Sequence, residues 1–247
     1  MFTPNHFIWL GACALLIIIA TIVSVKKKWS SRTVTIIFGV ICALSETAKD
    51  MLSMIPSEFG GRILDPIDIP LHMCSLVVFA ILIALVTKND ELRGKLISAV
   101  TVIGLIAPEL AMLIPTEGVS FAKAQCYQYF IYHAALLWFA LHHAITGQAD
   151  LGKRTYVRNI SALSVLIFIM LYIDSAMSVY GVNYFFLRKP PVDGLPILNL
   201  DNGWHCYFVT LLVIAYGAVT LVQLPFMLRE KRGKKSGGDN AETNCVN

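Results

Sequence analysis

The stretch FIWLGACALLIIIATIVSV at residues 7–25, followed at once by Lys26-Lys27-Lys28, decides the class of this protein. It is about the length of apolar helix that crosses a bilayer. It is too long for the hydrophobic region of a signal peptide, and the lysines form a stop-transfer flank, so it reads as a retained signal anchor. Working outward, six more apolar segments follow at roughly 34–55, 68–87, 96–115, 127–146, 158–180 and 204–228. The chain has 247 residues, 56% hydrophobic and only 15% charged. A soluble domain carries about 25% charged residues. The expected fold is therefore all-α: a polytopic bundle of seven transmembrane helices.

Lysine and arginine set the orientation, because cytoplasmic loops collect them. Lys26, Lys27, Lys28 and Arg32, then Lys88, Arg93 and Lys95, then Lys153, Arg154 and Arg158, then the Arg229–Lys235 cluster all fall on one side. Only Arg62, Lys123, Arg188 and Lys189 fall on the other, and Lys49 lies within a helix. The reading is a multi-pass cell-membrane protein, N-terminus outside and C-terminus cytoplasmic. Residues 1–229 form the transmembrane domain, and the polar, basic stretch 230–247 reads as a disordered tail. The net charge of +4 sits mostly in loops and tail. That suits anionic lipid headgroups and gives no sign of a nucleic-acid partner.

Depth along each span is the most informative feature, since an ionisable group inside a membrane is costly. Glu46 lies roughly 18 Å from the inner end of the second span at 1.5 Å per residue, with Lys49 and Asp50 further out. Asp68, His72, Cys74 and Ser75 open the third span, Tyr129 and His133 lie early in the fifth, Glu109 and Asp174 late in the fourth and sixth, and Trp204 and His205 start the seventh. The inner halves, such as Val77–Val86 and Leu211–Val222, are nearly pure hydrocarbon. One polar cavity in the outer half, above an apolar plug, is the expectation. Helical spacing puts Glu46, Asp50 and Ser53 on one face, Asp68, His72 and Ser75 on another, and Cys126, Tyr129 and His133 on a third. Pro108, directly before Glu109, frees a backbone carbonyl one turn back, and a kink of the fourth span at the cavity is the expectation. His6, His142, His143 and His205 read as interfacial.

The outer connections 56–67 and 181–203 are the longest, which places function on that side. Asn183, Tyr184, Arg188 and Lys189 lie in the second. The six cysteines show no CxxC spacing, so a structural zinc site is not indicated. Cys126 and Cys206, both near outer helix ends, are a possible disulfide pair.

Taken in order, Ile69-Pro70-Leu71-His72-Met73-Cys74, Ala107-Pro108-Glu109-Leu110, Tyr132-His133-Ala134, Asn183-Tyr184-Phe185-Phe186-Leu187-Arg188-Lys189-Pro190 and Leu224-Pro225-Phe226 resemble the YwaF-like bacterial integral membrane proteins. Those are grouped with the eukaryotic transmembrane-protein-164 acyltransferases. The resemblance runs from about residue 65 to 228. It implies a seven-helix fold and acyl transfer between lipids using a cysteine and a histidine. Ser75 stands where the bacterial pattern usually has an aspartate.

The expected activity is a membrane acyltransferase or lipid acyl hydrolase working on the outer leaflet. Cys74 or a water attacks, His72 or His133 takes the proton, and Glu109 or Asp174 orients the imidazole. Residues two apart on a helix do not face each other, which makes His133 the better partner for Cys74. Glu46, Asp50, Asp68, Tyr129, Asn183, Tyr184, Arg188, Lys189 and Trp204 are the candidate substrate-binding residues. No cofactor is expected, and the partners are membrane lipids or a small molecule reached from outside. A transporter subunit or receptor with an outward pocket is the alternative. A metal enzyme built on His72, His133, Glu109 and Asp174 is a third. A homo-oligomer or another membrane partner is left open.

Overall fold

The computed structural model describes residues 2–57, 61–192 and 194–243, with side chains as far as residue 230. Eight helices account for nearly all of it: α1 (Pro4–Lys26), α2 (Ser31–Leu52), α3 (Met73–Val86), α4 (Asp90–Gly104), α5 (Ala107–Leu113), α6 (Ala124–Thr146), α7 (Lys153–Ala176) and α8 (Trp204–Thr243). The first two start on side chains that accept a first-turn N–H, Thr3 from His6 and Ser30 from Thr33. Asn89 does the same for α4, and Gly147 ends α6 in the left-handed conformation. Of the expected tail 230–247, the backbone of 230–243 continues α8, while the side chains of 231–243 and all of 244–247 lie outside the described residues.

The bundle is built around α6, which packs on α1, α2, α4 and α5. Phe38, Ile81, Leu136 and Phe139 fill the seam where α2, α3 and α6 meet. The α7–α8 pair lies against α4. Gly104 lets α4 approach α6: a Cβ there would sit 2.8 Å from the Ala140 Cβ and 3.1 Å from the Leu136 carbonyl.

Four segments are long and apolar enough to cross a membrane by themselves: Pro4–Lys26, Asp90–Leu113, Lys153–Ala176 and Trp204–Glu230. The others are not, for physical reasons. Both α2 and α6 carry polar residues, which a helix enclosed by other helices can pair internally. The 14-residue α3 rises about 21 Å, short of a bilayer core of about 30 Å.

Four sequence expectations need correction. The third span does not begin at 68. A 3-10 turn (Pro66–Asp68) and an extended stretch precede α3, and His72 is its N-cap. Pro66 and Pro70 forbid a continuous helix, and the residue before a proline is driven out of the helical region. Asp68, His72 and Ser75 therefore do not share a helix face, and Ser53 is the C-cap of α2 rather than part of it. The chain is also not purely helical: β1 (Met54–Pro56) and β2 (Arg62–Leu64) form an antiparallel hairpin after α2, pairing Ile55 with Ile63. Cys126 is buried, Cys206 is exposed, and both are free. Finally, His6, His142 and His143 are fully buried rather than interfacial. Each has found a partner inside: the His6 Nε2–H donates to the Met112 carbonyl at 2.8 Å, His142 meets the Ser24 hydroxyl at 3.0 Å, and His143 bridges the Phe139 carbonyl and Ser31.

At Pro108 the fourth span is interrupted and not merely kinked. The chain leaves the helix at Leu105–Ile106 and resumes as α5. This short helix ends with carbonyls that have no intrahelical donor. Tyr129 of α6 donates to Ala111 at 2.9 Å and His6 of α1 to Met112, so two neighbours cap it.

Candidate active site

Cys74 occupies the second position of the first turn of α3, half-buried at the hairpin end of the bundle. His133 lies mid-way along α6 and is 4% exposed. Their side chains meet: Cys74 Sγ is 3.3 Å from His133 Nε2. The other ring nitrogen decides the chemistry. His133 Nδ1 is 2.7 Å from the carbonyl of Tyr129, one turn back on α6. A carbonyl only accepts, so Nδ1 carries the proton in the neutral ring. Nε2 is then a lone pair aimed at the Cys74 thiol, which donates to it.

The surroundings fix both partners. Tyr132 donates its hydroxyl to the Cys74 carbonyl at 2.7 Å and stands edge-on to the His133 ring. The Tyr129 ring lies 4.3 Å from that of His133, held by its bond to Ala111. From α2, Lys49 reaches the Ser75 hydroxyl at 3.0 Å while paired to Glu46 at 2.5 Å. Asp50 is 3.9 Å from the same ammonium. The first-turn N–H groups of α3, from Met73 to Ser75, have no intrahelical acceptor.

The second histidine has different work. His72 Nδ1 faces the Tyr184 carbonyl at 3.0 Å, and its Nε2 faces the Ile67 carbonyl at 3.1 Å. Neither nitrogen is turned to Cys74. Asp174, fully buried near the end of α7, accepts the Tyr184 N–H at 3.1 Å. Tyr184 is thus gripped at its N–H and its C=O, and its hydroxyl donates to the Pro66 carbonyl at 2.6 Å. Burial, reinforced by Asp174, Asp65 and Asp68, raises the Tyr184 hydroxyl above its ordinary range, so it stays a donor. Loop 181–192 is tied down around this grip. Asn183 accepts from the Arg188 N–H and donates to the Lys189 carbonyl, and Trp204 donates to Leu187.

Of the other expected residues, Asp68 stays in the 3-10 turn. Glu109, in the first turn of α5, keeps Oε2 buried without a hydrogen-bond partner. Neither it nor Asp174 orients a histidine; the Tyr129 carbonyl does that for His133. Among the described residues no three His, Cys, Asp or Glu gather as a metal set. Tyr132, Lys49 and Ser75 were not picked out as site residues from sequence. The signal for Tyr132 was available, since a tyrosine hydroxyl on a buried helix must find an acceptor.

A family model, that of the TMEM164 family, matches residues 1–222. The chain belongs to the TMEM164 family. With its several long apolar helices, this TMEM164-family chain is a multi-pass membrane protein. No curated protein and no solved structure matches it.

Proposed function

We propose that this protein is a cell-membrane acyltransferase acting on outer-leaflet lipids, with Cys74 as nucleophile and His133 as base. The observation that carries the reading is the 3.3 Å contact between the Cys74 thiol and an imidazole nitrogen whose ring is locked as an acceptor. The thiol proton passes to Nε2, and the thiolate attacks the carbonyl carbon of a lipid ester. The first-turn N–H groups of α3, which lack intrahelical acceptors, are the donors assigned to the resulting oxyanion. Collapse breaks the ester C–O bond, the leaving alkoxide takes the proton from Nε2–H, and a thioester remains on Cys74. An acceptor hydroxyl then attacks that thioester with His133 as base, forming the new ester and returning the thiol. Water in place of the acceptor gives hydrolysis. The positive Nε2–H ring is stabilised by its Nδ1–H bond to Tyr129.

The bundle in this reading crosses the membrane seven times with the hairpin end outside. The distribution of lysine and arginine supports that orientation. The short α3 starts below a non-helical entry, which is compatible with membrane depth where protein surrounds it.

Purified protein in liposomes containing a phospholipid with a labelled acyl chain, plus a lysolipid acceptor, tests the proposal. Cys74→Ala should abolish transfer, and His133→Ala should lower it by about 10²–10⁴-fold. A hydroxylamine-labile acyl adduct should appear on Cys74 in the wild type when acceptor is withheld. Transfer that survives unchanged in Cys74→Ala would falsify the assignment.

A further inference from the structure

A groove of about 510 Å³ opens beside the end of α7, apart from the Cys74–His133 pair. Ser175, Ser178, Asn183, Arg188, Lys189 and Trp204 line it. Arg188 and Lys189 thus place two adjacent cations in one concavity. Neither takes part in any of the four ion pairs among the described residues. Arg188 Nη1 reaches only the Asp174 carbonyl, at 3.4 Å, which leaves most guanidinium donors without a protein acceptor among the described residues.

The groove is also rigid. Asn183 holds the backbone on both cations, through the Arg188 N–H at 3.0 Å and the Lys189 carbonyl at 2.8 Å. Trp204, fixed through its indole N–H to Leu187 at 3.0 Å, forms a wall. A ligand does not have to order these groups on arrival, which lowers the cost of binding.

We propose that this groove binds a phosphate group. A guanidinium fork matches two oxygens of a phosphate, and a neighbouring ammonium adds a point charge. The Ser178 hydroxyl, in the same lining, is a further donor for a remaining oxygen. A series of contacts runs from the groove to the helix of the nucleophile: Arg188 reaches the Asp174 carbonyl, the Asp174 carboxylate accepts from Tyr184, the Tyr184 carbonyl meets His72, and His72 is the N-cap residue of the helix that carries Cys74. The groove therefore suits the phosphate of a lipid whose ester is to be attacked. That link to chemistry rests on the proposed acyl transfer, whereas phosphate binding does not.

Binding is measured on the purified full-length chain in nanodiscs of phosphatidylcholine doped with phosphatidate, counting retained phosphatidate by native mass spectrometry. Lys189→Gln, an exposed change, and Arg188→Gln should each weaken retention at least tenfold, with unaltered size-exclusion profiles. Cys74→Ala should retain phosphatidate like the wild type, so a failed acyl-transfer assay leaves this result standing. Competition by inorganic phosphate alone, with no preference for phosphatidate, would identify free phosphate as the source. Equal retention in wild type, Lys189→Gln and Arg188→Gln overturns the proposal.

Discussion

At the scale of single residues, a histidine's role is set by the partner of its less conspicuous nitrogen. His133 and His72 begin as similar candidates at similar depth. The Tyr129 carbonyl fixes His133 as a proton acceptor toward Cys74, while two carbonyls occupy His72 completely. The contact of Cys74 with His133 was expected from the sequence on the ground that residues two apart on a helix do not face each other, although His72 proves to be the N-cap residue and not part of that helix. The engagement of His72 was not. Its acceptors are backbone atoms, one of them 112 positions away, and backbone carbonyls leave no mark in composition. The same scale gives a test of Tyr132. Tyr132→Phe removes the donor to the Cys74 carbonyl and should cost about 1 kcal/mol of stability. Thermal melting in detergent would show this as a small drop in midpoint, with thiol labelling of Cys74 intact.

At the scale of elements, proline decided more than hydropathy. Pro108 was readable as a disturbance of the fourth span, expected as a kink and found as an interruption between two helices. Pro66 and Pro70 carried the same information for the third span, yet the apolar run beside them hid it. The consequence is large: Cys74 sits in the first turn of a helix instead of its second, next to unpaired N–H groups. The α4–α6 crossing offers the sharpest test at this scale. Gly104→Val would place new atoms against the Leu136 carbonyl, on the helix that carries His133 one turn earlier. Overpacking of this kind costs about 1–3 kcal/mol. A lower melting midpoint and reduced activity are expected together; an unchanged midpoint would mean that the two helices can separate freely.

For the whole molecule, the sequence made membrane residence plain and the number of crossings less so. Four segments qualify by length and composition; α3 is apolar but short, and α2 and α6 carry polar groups. The asymmetry between ends was readable as charge, but the polar contents of the Lys/Arg-rich end were not. Tyr156 with Thr220 and Asn159 with Gln223 tie α7 to α8 there, and Ser164 with Tyr216 does so about half-way along. Orientation can be read from Cys206, which is free and exposed at the start of α8. A membrane-impermeant maleimide on intact cells should label it, and Cys206→Ser should remove that signal. Labelling of intact cells that persists in Cys206→Ser, and therefore comes from Cys245 in the tail, would invert the topology.

The capping of α5 reaches further than its seven residues suggest. His6 holds the Met112 carbonyl from α1, one residue beyond the carbonyl that Tyr129 holds from α6. The extreme N-terminal turn is thereby part of the scaffold under the histidine, although it lies far from it in sequence. Anyone producing this protein should leave that turn native and attach an affinity handle at the opposite terminus.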